Sequence, residues 1–209
     1  MKAQVLQSIL DKKMVAILRG FEYEANFRVM ESLIEVGITN FEVTLNTKDA
    51  LKIIEEAAKK YEKYGYVGAG TVKNAKDALE AINAGAQFLI TPNLSEGSVA
   101  VAIEKNVLIA PGVFTPTEIV KAYDMGCEIV KLFPAVTLGS DYIKQIKAPL
   151  DDIKIMVVGG MGIKNIPEYF QAGADAVGIG SSLVPTNMVK EGQYDALRKH
   201  LKEFVQRIS

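Results

Sequence analysis

Along the chain, short apolar runs rich in β-branched residues alternate with longer segments in which apolar positions recur every three to four residues. The first pattern belongs to strands buried on both faces and the second to amphipathic helices; their regular alternation predicts parallel strands joined by crossover helices. Strands are expected at 14–19, 40–45, 66–72, 88–92, 107–113, 128–134, 154–159 and 176–181. Helices fill the gaps, among them 23–36, 48–64, 74–84, 95–105 and 117–125. A last helix, 193–208, carries Tyr194, Leu197, Leu201, Phe204, Val205 and Ile208 on one face. Consecutive strands start just far enough apart for a strand, a helix and two short loops. Residues 1–209 therefore read as one domain, with nothing left over for a second. Eight βα units close most simply into a (β/α)8 TIM barrel, because an open sheet needs a reversal of strand order that the even spacing does not announce. The first ten residues are expected to form an extra helix plugging the lower end.

An internal repeat supports closure. Val36-Gly37-Ile38, Ala84-Gly85-Ala86, Met125-Gly126-Cys127 and Ala172-Gly173-Ala174 each end a helix, the glycine serving as a left-handed C-cap before every second strand. Counting five residues on from each glycine reaches Glu42, Ile90, Lys131 and Gly178. In such barrels alternate strands supply one interior layer, so Glu42 and Lys131 are expected to share it. Two residues further on, Thr44, Pro92, Phe133 and Gly180 are expected nearer the C-terminal mouth.

Composition then removes most chemistry. The chain has 209 residues, 49% of them apolar, with 24 Lys plus Arg against 25 Asp plus Glu and a formal charge of -1. Its four arginines, Arg19, Arg28, Arg198 and Arg207, are scattered, so the concentrated basic surface that binds nucleic acid is missing. No apolar run approaches the roughly 18 residues of a membrane span, and the charged N-terminus lacks the apolar stretch of a signal peptide. A cytoplasmic protein is expected. A single cysteine, Cys127, excludes an internal disulfide and multi-cysteine metal clusters, and a single histidine, His200, excludes sites built on paired histidines. Most metal and triad chemistry is thereby excluded, and no cofactor is expected. Cys127 reads as packing and His200 as a solvated or interface residue without a role. The third glycine of a dinucleotide-binding loop is missing after both Gly68-Ala-Gly70 and Gly178-Ile-Gly180.

What remains is chemistry by lysine, carboxylate, hydroxyl and backbone. Lys131 lies within a strand of large apolar residues; it either points outward along a helix with its charge in water, or faces the interior. Its register with Glu42 favours the interior, where desolvation lowers its pKa and provides a neutral amine able to attack a carbonyl. Glu42 is either a structural ion-pair partner or the general base of the site. Gly159-Gly160 and Gly178-Ile-Gly180-Ser181-Ser182 end the seventh and eighth expected strands, the usual phosphate site of this fold. Thr71, in Gly68-Ala-Gly-Thr71, offers a hydroxyl, and Arg19 faces the same mouth, suited to a carboxylate or phosphate.

Over essentially its whole length the sequence resembles the aldolases that cleave 2-keto-3-deoxy-6-phosphogluconate, 2-keto-3-deoxy-6-phosphogalactonate and 4-hydroxy-2-oxoglutarate. The resemblance rests on Ala16-Ile-Leu-Arg19, Glu42-Val-Thr44, Gly68-Ala-Gly-Thr71, Thr91-Pro92, Pro111-Gly112, Thr115-Pro-Thr-Glu118, Lys131-Leu-Phe-Pro134, Gly159-Gly160 and Gly180-Ser181. It implies that Lys131 forms a Schiff base, Glu42 moves protons, Thr71 and an arginine hold the pyruvate carboxylate, Pro92 and Phe133 shape the pocket, and Gly159, Gly160, Gly180 and Ser181 hold the phosphate. It also implies a metal-free homotrimer acting on a small phosphorylated keto acid. Cleavage of the gluconate substrate to pyruvate and glyceraldehyde 3-phosphate is the leading expectation, with hydroxyoxoglutarate as a further substrate and the galactonate epimer as the alternative. A phosphate-binding isomerase or transferase is more remote, and a non-catalytic assembly module is the third possibility. One departure bears on substrate: many gluconate-type members have an arginine four residues after the glutamate, where this chain has Asn46. Arg19 then takes over the carboxylate, or the preference differs.

Overall fold

The computed structural model describes residues 1–208. Nine strands, β1 (Met14–Leu18), β2 (Asn40–Thr44), β3 (Tyr66–Gly70), β4 (Phe88–Ile90), β5 (Leu108–Ala110), β6 (Gly112–Val113), β7 (Ile129–Leu132), β8 (Lys154–Val158) and β9 (Ala176–Ile179), form one parallel sheet. Its order is β5-β4-β3-β2-β1-β9-β8-β7-β6. The two ends of that order are β5 and β6, which are separated only by Pro111, so the sheet closes on itself through one broken strand. This is an α/β barrel of eight staves.

The break corrects the continuous strand expected over 107–113. Proline has no N–H for the ladder, but its carbonyl still accepts from Lys131 N–H at 2.8 Å, which keeps the seam closed beside the key lysine. Other expected boundaries were too long. The strand placed at 66–72 stops at Gly70 because Thr71 turns to φ 58. The strand placed at 128–134 stops at Leu132, ahead of Pro134. The helix placed at 48–64 is α3 (Ala50–Lys60), held off Lys48 by the left-handed Asp49 at φ 58.

The remaining helices are α1 (Lys2–Lys12), α2 (Tyr23–Glu35), α4 (Ala75–Asn83), α5 (Glu96–Glu104), α6 (Pro116–Asp124), α7 (Ser140–Lys147), α8 (Ile166–Gln171), α9 (Thr186–Lys190) and α10 (Tyr194–Ile208). Gly37, Gly85, Gly126 and Gly173 all have positive φ at the helix ends, as the repeat predicted. Strand alternation separates two cores. Outward residues such as Phe41, Val43, Val130 and Leu132 pack under the helices. Inward residues such as Val15, Leu108, Ile129 and Ala176 fill the lower barrel together with Val5 and Ile9 of α1, which is the expected plug. Thr115-Pro-Thr-Glu118 proves to be a capping box at the start of α6, the Thr115 and Glu118 side chains each meeting the other's backbone N–H.

Candidate active site

Because Phe41 and Val43 pack outward, the period of two turns Glu42 inward, and the same parity on β7 turns Lys131 inward between Val130 and Leu132. Glu42 is 1% and Lys131 5% exposed. The fold makes room for the carboxylate on the neighbouring strand: a Cβ on Gly70 would stand 1.7 Å from Glu42 Oε1. Glu42 Oε2 is buried without a hydrogen-bond partner, so the carboxylate retains acceptor capacity.

Burial pushes the Glu42 pKa up, against the opposing pull of the Lys131 and Arg19 cations. Burial also pushes the Lys131 pKa down; the Glu42 charge works against that shift and the Arg19 charge adds to it. Both shifts have the sign that proton exchange near neutrality needs, a more basic carboxylate and a less basic amine. The Lys131 ammonium position lies 4.6 Å from the centroid of the Phe133 ring.

Phe133 connects this pair to the open part of the mouth. A cavity of about 540 Å³ lies over the ends of β1, β8 and β9, and its wall includes Phe133, Arg19, Gly159, Gly160, Gly180 and Ser181. Gly159 and Gly160 have φ 95 and 75, two successive left-handed residues that carry the chain sideways after β8. A Cβ on Gly159 would come 3.2 Å from the Phe133 ring. The backbone N–H groups of Gly160, Met161, Ser181 and Ser182 donate to no other group among the described residues, which leaves them free to meet an anion. Arg19 follows β1 directly at this rim, exposed, and its charge acts on both buried groups.

The structure therefore brings Arg19, Phe133, Gly159, Gly160, Gly180 and Ser181 onto one cavity wall, with Lys131 and Glu42 buried inside the barrel. Thr71 and Pro92 are half-buried just past the ends of β3 and β4 and are not part of that wall. Thr91 braces the second of these: its hydroxyl accepts from Gly112 N–H at 3.0 Å and donates to Asn93 O at 2.6 Å. Asn46 is exposed in the turn after β2 and takes no part in the cavity. Phe21, Met161, Gly162 and Thr186 line the cavity unforeseen. Gly162 continues the glycine run of Gly159-Gly160 and was visible in that sense; Phe21 and Thr186 enter through loops whose course only the fold determines.

With this geometry in view, comparison with known proteins is direct. The family model for KDPG and KHG aldolase matches residues 5–200. The "Probable 2-dehydro-3-deoxy-6-phosphogalactonate aldolase" of Rhizobium meliloti is 36% identical over 180 residues, covering 86% of this chain and 85% of that protein. The KHG/KDPG aldolase of Escherichia coli is 33% identical over 177 residues, covering 84% and 83%. Among solved structures, a KDPG aldolase from Legionella pneumophila, with pyruvate captured as a covalent carbinolamine, superimposes with a TM-score of 0.87 at 26% identity, covering 93% of this chain and 95% of that one. The chain is a member of the KDPG and KHG aldolase family, carbon–carbon lyases built on an α/β barrel.

Proposed function

We propose that the protein is a Schiff-base aldolase that cleaves a 6-phosphorylated 2-keto-3-deoxyhexonate to pyruvate and glyceraldehyde 3-phosphate. The observation that carries this reading is the pairing of Lys131, buried and with a depressed pKa, with Glu42, whose carboxylate has a raised pKa and a free buried oxygen. Neutral Lys131 Nζ attacks the C2 ketone, and Glu42 moves the protons that convert the carbinolamine to an iminium with loss of water. Glu42 then takes the proton of the C4 hydroxyl as the C3–C4 bond breaks, and the bonding electrons pass into the iminium to form an enamine. Protonation at C3 and hydrolysis release pyruvate and restore the amine. The carbinolamine in the Legionella relative supports the same first step here.

Glyceraldehyde 3-phosphate leaves from the cavity end, where Gly160, Met161, Ser181 and Ser182 present free N–H groups. Arg19 is on the cavity wall while Asn46 is outside it, so Arg19 is the cation available to the substrate's anionic groups. The galactonate epimer is favoured by Asn46 and Thr91-Pro-Asn93, which resemble that branch, and by the 36% identical Rhizobium meliloti relative. The gluconate epimer is the second reading, favoured by Thr115-Pro-Thr-Glu118 and Lys131-Leu-Phe-Pro-Ala135. Retro-aldol rates on the two epimers and on 4-hydroxy-2-oxoglutarate test the assignment; equal inactivity on all three would overturn it.

A homotrimer is part of this proposal. Ile103, Phe114, Val120, Tyr123, Phe133 and Val136 are exposed large apolar residues that run from α5 to the turn after β7, and an apolar surface groove between Pro116, Val120, Pro149 and Leu150 borders them. Exposed large apolar side chains gathered on neighbouring elements support a subunit interface there. Light scattering on the eluted protein checks the mass; a monomer at micromolar concentration would overturn this part alone.

A further inference from the structure

His200, the single histidine of the chain, was without a role in the sequence. In the fold its ring reaches from α10 to the loop after β9, where Nε2 lies 2.8 Å from the carbonyl oxygen of Ser182. A carbonyl only accepts, so Nε2 is the donor in this contact. The same Ser182 donates its hydroxyl to the carbonyl oxygen of Met161, in the loop after β8. Ser182 is thus tied at both ends, by its side chain to one loop of the cavity and by its carbonyl to α10. Both loops supply the free N–H groups of the cavity, Met161 on one side and Ser181 and Ser182 on the other. The imidazole itself is braced edge-on by Phe204, with ring centroids 5.2 Å apart, and Phe204 is fully packed in the outer core.

We propose that His200 is a positioning residue for anion recognition: it anchors the Ser182 staple that holds the two N–H-bearing loops in register for a phosphate group. The physical basis is that a backbone anion cradle contributes only if its donors are held in place before the anion arrives. Within the loop the Gly180 carbonyl accepts from the Leu183 and Val184 N–H groups at 3.0 Å, which shapes the turn but does not tie it to the Met161 loop. His200 and Met161 O hold Ser182 from opposite sides, so displacing Ser182 from the Met161 loop or from α10 breaks a hydrogen bond to one of them. The inference rests on the phosphate end of the proposed function, and it does not depend on the chemistry at Lys131.

The test has two arms. Binding of inorganic phosphate by titration calorimetry is compared for the wild type and for His200→Leu, which keeps the bulk and removes the donor. In the second arm, KM and kcat are measured for the phosphorylated substrate and for unphosphorylated 4-hydroxy-2-oxoglutarate. His200→Leu is expected to weaken phosphate binding and raise KM for the phosphorylated substrate by about three- to tenfold, the scale of one hydrogen bond. The kcat and the constants for hydroxyoxoglutarate should stay as in the wild type. His200→Gln, whose amide can donate to Ser182 O, should restore most of the loss. Leu197→Ala, which loosens α10 from the core without removing the donor or its Phe204 brace, should lower stability and leave the ratio of KM values alone. Equal losses on both substrates, no loss on either, or the same KM ratio change with Leu197→Ala would overturn the proposal. If phosphate binds the wild type and His200→Leu weakens it while no substrate is cleaved, the aldolase reading fails and the role of His200 stands.

Discussion

The two halves of the site are built on opposite principles. On β2 and β7 the working groups are side chains, Glu42 and Lys131, each almost fully buried and each perturbed by its burial. After β8 and β9 the groups offered to an anion are backbone N–H donors on glycine-rich turns, half-buried to exposed at the rim, with no titratable group among Gly159, Gly160, Gly180 and Ser181. Under the proposed reaction, the difference follows from what each half does. Covalent chemistry on a ketone needs an amine whose charged form is disfavoured, and only the low-dielectric barrel interior supplies that. A phosphate keeps its charge and its hydration until it is bound, so fixed dipoles at an open rim suffice. Phe133 belongs to both halves, lying over Lys131 on one side and against Gly159 on the other.

The contrast can be broken experimentally. The largest effect is expected for Lys131→Ala, which should abolish turnover and leave no adduct after treatment with pyruvate and borohydride; peptide mass mapping of the wild-type adduct to another lysine would sink the assignment. Next come two changes that reach the same carboxylate by different routes. Glu42→Gln removes the base, and Gly70→Ala places a methyl where Glu42 Oε1 now sits. Each should lower kcat by about a hundred- to ten-thousandfold, the range for one acid–base group. An undisturbed kcat in Gly70→Ala would show that the carboxylate does not act from its present position.

The pH dependence separates the halves further. Schiff-base formation needs the neutral amine, so the rate of pyruvate labelling falls as pH drops below the Lys131 pKa, which burial holds under its ordinary value of 10.5. Arg19 lowers that pKa further; Arg19→Met should therefore raise it and move the acid limb to higher pH. An unmoved limb would confine Arg19 to binding. A smaller effect is expected at the rim, where Ser181→Pro, which removes one free N–H donor, should raise KM for the phosphorylated substrate a few-fold with kcat unchanged, as loss of about one hydrogen bond predicts. The smallest concerns stability. Lys131→Met combined with Glu42→Leu should leave the protein as stable or raise stability by about 1–4 kcal/mol, because buried charges replaced by apolar groups cost nothing to desolvate; chemical denaturation measures it.

Sequence legibility differs between the same two regions. Glu42 and Lys131 could be placed by counting from the repeat glycines, since side-chain parity along a strand is a local property. The glycine run at 159–160 announced a turn for the same reason. Positions defined by loop paths were less legible: Phe21 and Thr186 reach the cavity, whereas Asn46 does not. Pro111 was visible as a proline in an apolar run, but its effect, a stave broken into β5 and β6 with the seam closed on Lys131 N–H, depends on the neighbouring strand. His200 illustrates the same limit. Its contact with Ser182 spans 18 positions and joins α10 to a loop that no periodicity relates to it.

By itself the sequence determined the alternation of strands and helices, the inward parity of Glu42 and Lys131 and the glycine-rich turns after β8 and β9, because each depends on residues a few positions apart. The closed order of the staves, the burial that shifts both pKa values, the space Gly70 leaves for the carboxylate and the staple through Ser182 were decided by tertiary structure alone. These depend on distances between segments far apart in the chain, and only packing sets such distances.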